Sequence, residues 1–345
     1  MRAIVLEQFG DATNLKLGEW PKAEPQAEDV CIQVRAVSFN PVDYKLRQGR
    51  FGGSLPMVLG YDAAGVIESV GCNVKDLSVG DEVYAYLGGP KSNGAYAEYV
   101  CVPRAFVAPK PTNLDFLRAA AVPLVGLTAY QAVMDPETLR AGPAVFVAGG
   151  SGGVGSAAIQ LLRKLGADPI LTTAGSDQSA AYLTAKLGIR EEHILRYRGL
   201  SIKQMIDRTL TMNNGRPVAA AFDFWGGEMK HLCCNVIDFE GRVVSIVEEP
   251  AGFELNVWNA RRSPMFTRSA SLHFAFLGAR AMFGSPETWD IYRTQLEELA
   301  TLIETGYFDP PEPTVVGDFS AESVQSAHRS LEAGHVHGKL VMPVG

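Results

Sequence analysis

Short apolar runs separated by turn residues fill about the first 110 positions of the chain. Glycines fall repeatedly between the runs, and helical periodicity is scarce in this part. Closely spaced β-branched runs with turn residues between them are typical of an antiparallel β unit. The strands predicted from this pattern cover 3–6, 30–37, 64–70, 82–87 and 96–102.

The pattern changes near residue 116. A helix-like stretch over 119–134, interrupted at Pro123, leads to an apolar run that is typical of a buried parallel strand. Strands and helices then alternate, which predicts a parallel sheet with helices on both faces. The predicted strands cover 144–148, 169–173, 193–195, 218–223, 242–247 and 271–277, and the predicted helices cover 156–165, 178–187, 202–210 and 228–237.

The last part of the chain returns to the character of the first. A helix is predicted over 286–305, and short strands are predicted around Thr314 and Leu340. We therefore expect an α/β protein of two domains. A β-rich domain is built from 1–118 and 279–345, and a dinucleotide-binding α/β domain, 119–278, is inserted between its two parts.

Composition and charge narrow the choice of partner. The 345 residues carry a net charge of −7 with no run of like charges, which argues against a nucleic-acid surface or a polybasic membrane patch. No stretch approaches the roughly 20 apolar residues of a membrane span. The chain opens directly with a strand-like run rather than a targeting signal. We expect a cytoplasmic protein that acts on a small molecule.

Cysteine and histidine residues give little sign of a metal site. The five cysteines are an odd number and form no C-x-x-C pair, so they predict neither a disulfide framework nor a structural zinc site, and we expect them to be small buried residues. His335 and His337 would share one face of a strand. A solvated or backbone-bonded histidine pair is favoured over a metal site there.

A glycine-rich motif lies between a predicted strand and a predicted helix. Gly149, Gly152 and Gly155 have the spacing G-x-x-G-x-x-G, a variant of the dinucleotide fingerprint. Small residues let the backbone approach a pyrophosphate, whose charge is stabilised by the N-terminus of the following helix. A simple tight turn is the alternative. The candidate cofactor-binding residues here are Gly149, Ser151, Gly152, Gly153, Val154 and Gly155.

The end of the second strand of this domain bears on cofactor choice. An NAD-specific domain usually has an acidic residue there, whereas this chain has the small neutral residues of 172–176. Ser176 can donate to a 2′-phosphate, and Tyr197, flanked by two arginines, can add a hydroxyl. Asp177 could instead meet a ribose or cap a helix. The residues favour NADPH.

Several ordered motifs are shared with a known family. On the basis of these motifs, the chain resembles the zinc-independent quinone oxidoreductase and alkenal/enone reductase branch of the medium-chain dehydrogenase/reductase superfamily. The resemblance implies a GroES-like catalytic domain, a Rossmann domain inserted in it, an active site in the cleft and a homodimer. The matching stretches are 40–43, 59–66, 80–83, 94–99, 123–130, 149–155 and 337–341.

The resemblance also predicts that no metal is bound. Zinc-dependent relatives have Cys where this chain has Asn40 and His where it has Tyr61, and they carry a cysteine-rich loop that is missing here. Without thiolate and imidazole ligands a catalytic zinc is disfavoured.

Lys45 stands where the alkenal/enone reductase subgroup has lysine, and the resemblance implies that its ammonium stabilises an enolate. A solvated surface lysine is the alternative. Asn40 and Tyr44 are candidates to hydrogen-bond the substrate or the nicotinamide ribose. The alternatives are a local turn hydrogen bond for Asn40 and simple packing for Tyr44. Thr128 resembles the family threonine that faces the nicotinamide, although it could bond its own helix.

Two further residues are assigned to the cofactor by the resemblance. Phe276, with Phe274 and Leu277, matches the strand whose backbone holds the carboxamide and which often pairs across a dimer, and Lys339 belongs to the matching C-terminal motif. We expect hydride transfer to a quinone or to the β-carbon of an enal or enone. The alternatives are an enoyl-thioester or alcohol/aldehyde oxidoreductase, and a non-enzymatic NADPH-binding protein.

Overall fold

A computed structural model describes residues 1–89, 93–134, 142–261, 263–334, 336 and 338–345. The histidine pair at 335 and 337 lies outside these residues. The chain forms two compact units, one from Met1–Leu127 with Leu277–Gly345 and the other from Thr128–Phe276. Within the described ranges, no helix is both long enough and apolar enough to span a membrane.

The first unit begins with short strands and two helices, and a third helix runs across the boundary between the units. The strands are β1 Arg2–Leu6, β2 Leu15–Glu19, β3 Asp29–Ser38, β4 Met57–Val58, β5 Asp62–Val70, β6 Glu82–Tyr86, β7 Tyr99–Pro103 and β8 Val107–Pro109. The helices are α1 Pro41–Arg47, α2 Phe116–Ala120 and α3 Pro123–Val133.

The second unit alternates strands with helices. Its strands are β9 Val145–Ala148, β10 Ile170–Ala174, β11 Ile194–Arg196, β12 Val218–Asp223, β13 Ile237–Ser245 and β14 Ser271–Phe274. Its helices are α4 Gly153–Lys164, α5 Asp177–Ala185, α6 Ile202–Met212, α7 Glu228–Val236 and α8 Pro264–Thr267. The chain then completes the first unit with α9 Ala279–Phe283, α10 Asp290–Glu304, β15 Pro313–Val315, α11 Ala321–Glu332 and β16 Lys339–Pro343.

Two sheets organise the first unit. Three strands pair in the order β2-β1-β4, and seven strands form a second sheet in the order β15-β16-β3-β5-β6-β8, with β7 also paired to β3. The strand pairs are antiparallel except β15 with β16. The C-terminal strand β16 therefore lies inside the larger sheet, directly beside β3.

The sheet of the second unit has the strand order β11-β10-β9-β12-β13-β14, and every pair in it is parallel. Numbered within the unit, this is the Rossmann order 3-2-1-4-5-6. All four residues of β9 are buried, as expected for a parallel strand covered on both faces. The order reverses between β9 and β12, the place where such sheets bind ligands.

Mixed α/β architecture, with a GroES-like unit and a Rossmann unit, is as predicted. The helix α11 was not predicted, because only short strands were expected near the C-terminus. Its start is nevertheless marked by Ser320, whose hydroxyl accepts a hydrogen bond from the Ser323 amide at 3.1 Å. Helix α1 was missed in the same way within the β-rich segment, and β13 begins at Ile237 rather than 242.

Candidate functional site

A fully buried carboxylate organises the polar residues of the first unit. Asp62 opens β5, and its oxygens accept hydrogen bonds from the Ser38 hydroxyl at 2.7 Å and the Asn40 side-chain amide at 2.8 Å. The backbone amide of Leu124 donates to it at 2.7 Å. β3 pairs antiparallel with β5 and places its last residue, Ser38, opposite Asp62, and Asn40 follows two residues later as the N-cap of α1.

Lys339 brings a positive charge to the same place from the far end of the chain. It opens β16, its ammonium lies 3.4 Å from an oxygen of Asp62, and it donates to the side-chain oxygen of Asn40. Burial lowers the pKa of this lysine, and the carboxylate of Asp62 opposes that shift. The Asn40 side chain thus uses both its donor and its acceptor inside the protein.

A second buried carboxyl, Asp43, lies in the first turn of α1. It accepts a hydrogen bond from the backbone amide of Asn40 at 2.7 Å, which fixes the start of the helix. Burial raises its pKa to about 7, the negative charge of Asp62 adds to the rise, and the Asn40 amide and Lys339 oppose it. This carboxyl therefore changes protonation near neutral pH.

The predicted substrate-facing residues Tyr44 and Lys45 also lie on α1. Both side chains are half-buried. Among the described residues, the Lys45 ammonium has no hydrogen-bond or ion-pair partner, so its charge is uncommitted. Burial raises the pKa of the Tyr44 hydroxyl. Nearby in sequence to Asp62, Tyr61 is also largely shielded, and burial raises its pKa to about 12, with Asp43 adding to the shift.

In the second unit the glycine-rich motif forms a tight loop from β9 into α4. Gly149 has φ +85°, a conformation that favours glycine. A Cβ at Gly155 would lie 2.1 Å from the Gly149 carbonyl oxygen, and one at Gly150 would lie 2.1 Å from the Thr172 hydroxyl. Glycine is therefore required at both positions for the loop to close against the helix and the neighbouring strand.

The outer part of the loop stays accessible. Residues 151–154, which include Ser151, Gly153 and Val154, are partly exposed, whereas Gly155 is buried. A Cβ at Gly152 would meet nothing closer than 3.4 Å. The first amides of α4 lack acceptors within the helix, as at every helix N-terminus. The loop is thus a cradle of backbone N–H groups that suits a phosphate.

The end of β10 lies beside the end of β11. Ser176 is the N-cap of α5, where its hydroxyl accepts from the Ser179 amide at 3.1 Å. The Tyr197 hydroxyl would lie 2.6 Å from a Cβ at Gly175, so the two strand ends meet there. Asp177 is not the cap. Its carboxylate is bonded to Arg196, which also donates to Glu191 at 2.7 Å.

The turn after β12 is flanked by a charge group of Asp223, Lys230 and Glu249 that was not predicted from the sequence. The ammonium of Lys230 lies 2.6 Å from Glu249 and 3.8 Å from Asp223, and it donates to the Val247 carbonyl at 2.8 Å. Asp223 also accepts from the Gly226 amide at 2.7 Å. These contacts fix the turn beside the glycine-rich loop. The signal in the sequence was a lysine three residues after the Gly226-Gly227 turn.

The remaining predicted residues lie at or near the two ends of the segment that forms the second unit, Thr128–Phe276. Thr128 is buried within α3. Phe276 follows the edge strand β14 and is 55% exposed, and Phe274 on β14 is 65% exposed. These two side chains are therefore not core residues, as ordinary packing would require. Across the described residues, no three His, Cys, Asp or Glu side chains gather as metal ligands.

Known proteins resemble both units. Residues 26–112 match the family model of the alcohol dehydrogenase GroES-like domain, and residues 192–342 match that of zinc-binding dehydrogenases. A zinc-type alcohol dehydrogenase-like protein of Staphylococcus aureus is 29% identical over 335 residues, which is 95% of each chain. An NADPH-dependent alkenal/one oxidoreductase of Arabidopsis thaliana is 43% identical over 188 residues, 52% of this chain and 48% of that one.

Solved structures extend the likeness to the whole chain. The quinone oxidoreductase from Coxiella burnetii is 30% identical, with a TM-score of 0.78, over 100% of this chain and 99% of that one. A β-rich unit made from both chain ends, with a Rossmann unit inserted, defines the class. The chain belongs to the medium-chain dehydrogenase/reductase superfamily, and it is an oxidoreductase of that superfamily.

Proposed function

We propose that the protein is an NADPH-dependent oxidoreductase that passes a hydride to a quinone, or to the β-carbon of an α,β-unsaturated aldehyde or ketone, without zinc. The observation that carries the proposal is the closed glycine-rich loop at the point where the strand order of the second unit reverses. A dinucleotide suits this loop because its pyrophosphate needs close backbone approach and unpaired N–H groups.

The choice of NADPH is supported by the end of β10. Asp177, the acidic residue nearest the expected ribose, is already paired with Arg196. Ser176 and Tyr197 lie at the same strand ends, and Arg198 is exposed and unpaired among the described residues. A cation and hydroxyls there suit a 2′-phosphate. The relative from Arabidopsis thaliana is itself named as NADPH-dependent.

Reduction needs a group that stabilises negative charge on the substrate oxygen. The uncommitted ammonium of Lys45 supplies it, and the Tyr44 hydroxyl helps to orient the oxygen. Asn40 is a positioning residue rather than a substrate contact, because its side chain is hydrogen-bonded to Asp62 and Lys339. Bound NADPH supplies the hydride. A hydroxyl or solvent then donates the proton that completes the reduction.

The other cofactor contacts follow from the resemblance. Thr128 and the backbone of Phe276 hold the nicotinamide, and Gly152, Gly153 and Val154 hold the pyrophosphate. Lys339 contributes through its bond to Asn40. No metal takes part in the proposed reaction, since Asn40 and Tyr61 occupy the positions at which zinc-dependent relatives carry ligands.

We propose a homodimer as well. β14 is an edge strand that pairs only with β13 among the described residues, and Phe274 and Phe276 expose large apolar surfaces beside it. An open edge with exposed aromatic residues favours pairing with a second copy. Light scattering on the intact protein should give twice the chain mass, and Phe274→Asp should shift it toward the monomer. A wild-type monomer would overturn this assignment.

The activity is tested by following NADPH absorbance at 340 nm with quinones, enals, enones, enoyl thioesters and alcohols. We expect turnover with quinones or enones. Lys45→Met should lower kcat/KM by about 100-fold or more without changing NADPH affinity. The exposed Lys16 provides the matched control, Lys16→Met, which should behave as wild type. Tight NADPH binding without turnover of any acceptor would instead support a non-enzymatic NADPH-binding protein.

A further inference from the structure

Two cysteines lie directly opposite each other in the larger sheet of the first unit. Cys31 on β3 pairs in register with Cys101 on β7. Along this ladder the amide of Arg104 bonds the Glu28 carbonyl, and the amide of Val34 bonds the Glu98 carbonyl, both at 2.9 Å. Because hydrogen-bonded pairs alternate with non-hydrogen-bonded ones, the cysteines form a non-hydrogen-bonded pair.

This register brings the sulfur atoms close together. Non-hydrogen-bonded partners have Cα atoms about 4.5 Å apart, inside the range of roughly 4.4 to 6.8 Å that a disulfide spans. Both sulfurs also contact one oxygen. The Ala23 carbonyl lies 3.9 Å from the Cys31 sulfur and 3.2 Å from the Cys101 sulfur. A bond between them therefore requires little movement of the backbone.

The surroundings make the two thiols unequal. The Lys22 ammonium and the Glu68 carboxylate, 2.5 Å apart, lie beside Cys31, whose sulfur is 3.9 Å from Glu68. Its interaction with Cys101 lowers the pKa of the Cys31 thiol and Lys22 adds to that effect, whereas burial and the Glu68 carboxylate oppose it, with a net lowering. The same contact and burial raise the pKa of Cys101. Cys31 is therefore the better nucleophile of the pair.

A segment without regular secondary structure lies against the two cysteines. Residues 20–26 form neither helix nor strand, and they carry both Lys22 and the Ala23 carbonyl. The side chains of Lys22 and Glu68 are each 37% exposed. A small oxidant can reach the sulfurs when this irregular segment opens locally, without separation of β3 from β7.

We propose that Cys31 and Cys101 form a reversible cross-strand disulfide when the protein meets a hydroperoxide. The Cys31 thiolate attacks the peroxide oxygen, the O–O bond breaks, and a sulfenic acid forms as water or an alcohol leaves. Cys101 then attacks the Cys31 sulfur, loses its proton and expels water as the S–S bond forms. Two thiols are oxidised, one peroxide is reduced, and an added dithiol reverses the reaction.

The other three cysteines do not offer the same geometry. Cys233 and Cys234 are neighbours in α7, where adjacent Cα atoms lie about 3.8 Å apart, closer than an ordinary disulfide allows. Burial raises the pKa of both thiols. Cys72 is exposed and serves as an internal reference for oxidant strength.

The test is peptide mapping of the folded full-length protein. The chain is treated with hydrogen peroxide, quenched, denatured and alkylated, with a dithiol-treated half as reference. We expect a linked peptide pair containing Cys31 and Cys101, a mass loss of two hydrogen atoms, and full recovery with the dithiol. Cys233 and Cys234 should stay alkylatable. No Cys31–Cys101 link at a dose that oxidises Cys72 would overturn the proposal.

Two variants test the order of the steps. In Cys101→Ser, a dimedone probe should label Cys31, because the sulfenic acid has no thiol to resolve it. In Cys31→Ser, labelling of Cys101 should fall at least tenfold. Equal labelling of the two single variants would refute Cys31 as the attacking thiol. The Cys72→Ser variant, altered only at the exposed cysteine, should form the link as wild type does.

Discussion

In each unit of the molecule a fully buried aspartate lies close to a buried lysine, and the two groups share much of their geometry. Asp62 in the first unit and Asp223 in the second are fully buried. Each accepts from a serine hydroxyl at 2.7 Å, Ser38 in one case and Ser245 in the other. Each also accepts a backbone amide at 2.7 Å. In both carboxylates, hydrogen bonds from protein donors replace the hydrogen bonds that water would provide.

The groups differ in how the lysine is neutralised. Lys230 lies between two carboxylates, those of Glu249 and Asp223, and so carries a full complement of opposite charge. Lys339 has Asp62 and the neutral amide of Asn40 instead. The second carboxyl in that region, Asp43, has a pKa of about 7. One group is thus electrostatically closed, whereas the other can gain or lose a proton near neutral pH.

Lys230→Met should give the largest effect, because it leaves the fully buried Asp223 and the partly buried Glu249 without their cation. We expect the free energy of unfolding to fall by about 4 kcal/mol. Urea unfolding measures the loss, and the exposed Lys203 in the same unit offers the control Lys203→Met, which should cost little. A loss below about 1 kcal/mol for Lys230→Met would show that the group is not closed in this sense.

Asp43→Asn tests the adjustable group. The raised pKa means that the folded state binds this proton more tightly than the unfolded chain. The resulting stability is complete below about pH 4 and disappears as the pH rises through 7. Asparagine does not ionise, so from pH 4 to 8 the stability difference should move by about 3 kcal/mol in favour of the variant.

Urea unfolding across this pH range measures that movement. The variant Asp318→Asn, at an exposed site in the same unit, should follow the wild-type profile. Parallel profiles for Asp43→Asn and wild type would show that folding does not raise the pKa of Asp43.

Lys339→Met should cost less than Lys230→Met, about 2 kcal/mol. It leaves one carboxylate, Asp62, which keeps three hydrogen-bond donors. The measurement is the same urea titration, with Lys16→Met as the control. Equal losses for the two buried lysines would erase the distinction between the groups.

Ser38→Ala and Ser245→Ala should give the smallest effects, about 1 kcal/mol each, since each removes one neutral donor to a buried carboxylate. The two costs should agree within about 0.5 kcal/mol because the hydrogen bonds are equivalent. Differential scanning calorimetry detects the shifts in Tm. A cost several times larger at one serine would show that the carboxylates depend on their hydroxyl donors to different extents.

Local patterns account for what the sequence predicted well. The strand β12 has the predicted bounds, and the glycine-rich motif formed the expected strand-to-helix loop, because both depend on neighbouring residues. The pairing of Lys339 with Asp62 was not predictable, since it depends on β16 lying beside β3. Nor could the pattern identify Glu249 as the partner of Lys230, because no regular element holds that glutamate.

The position of β16 also bears on how the protein is made. Synthesis runs from the N-terminus, so the inserted unit is complete once Phe276 has left the ribosome. The larger sheet cannot be completed until β16, residues 339–343, is synthesised, because β16 lies between β3 and β15. Until then Asp62 lacks the Lys339 ammonium, and residues 36–38 at the end of β3 lack their β16 partner. A nascent chain therefore holds a complete second unit while the larger sheet of the first unit still lacks β15 and β16.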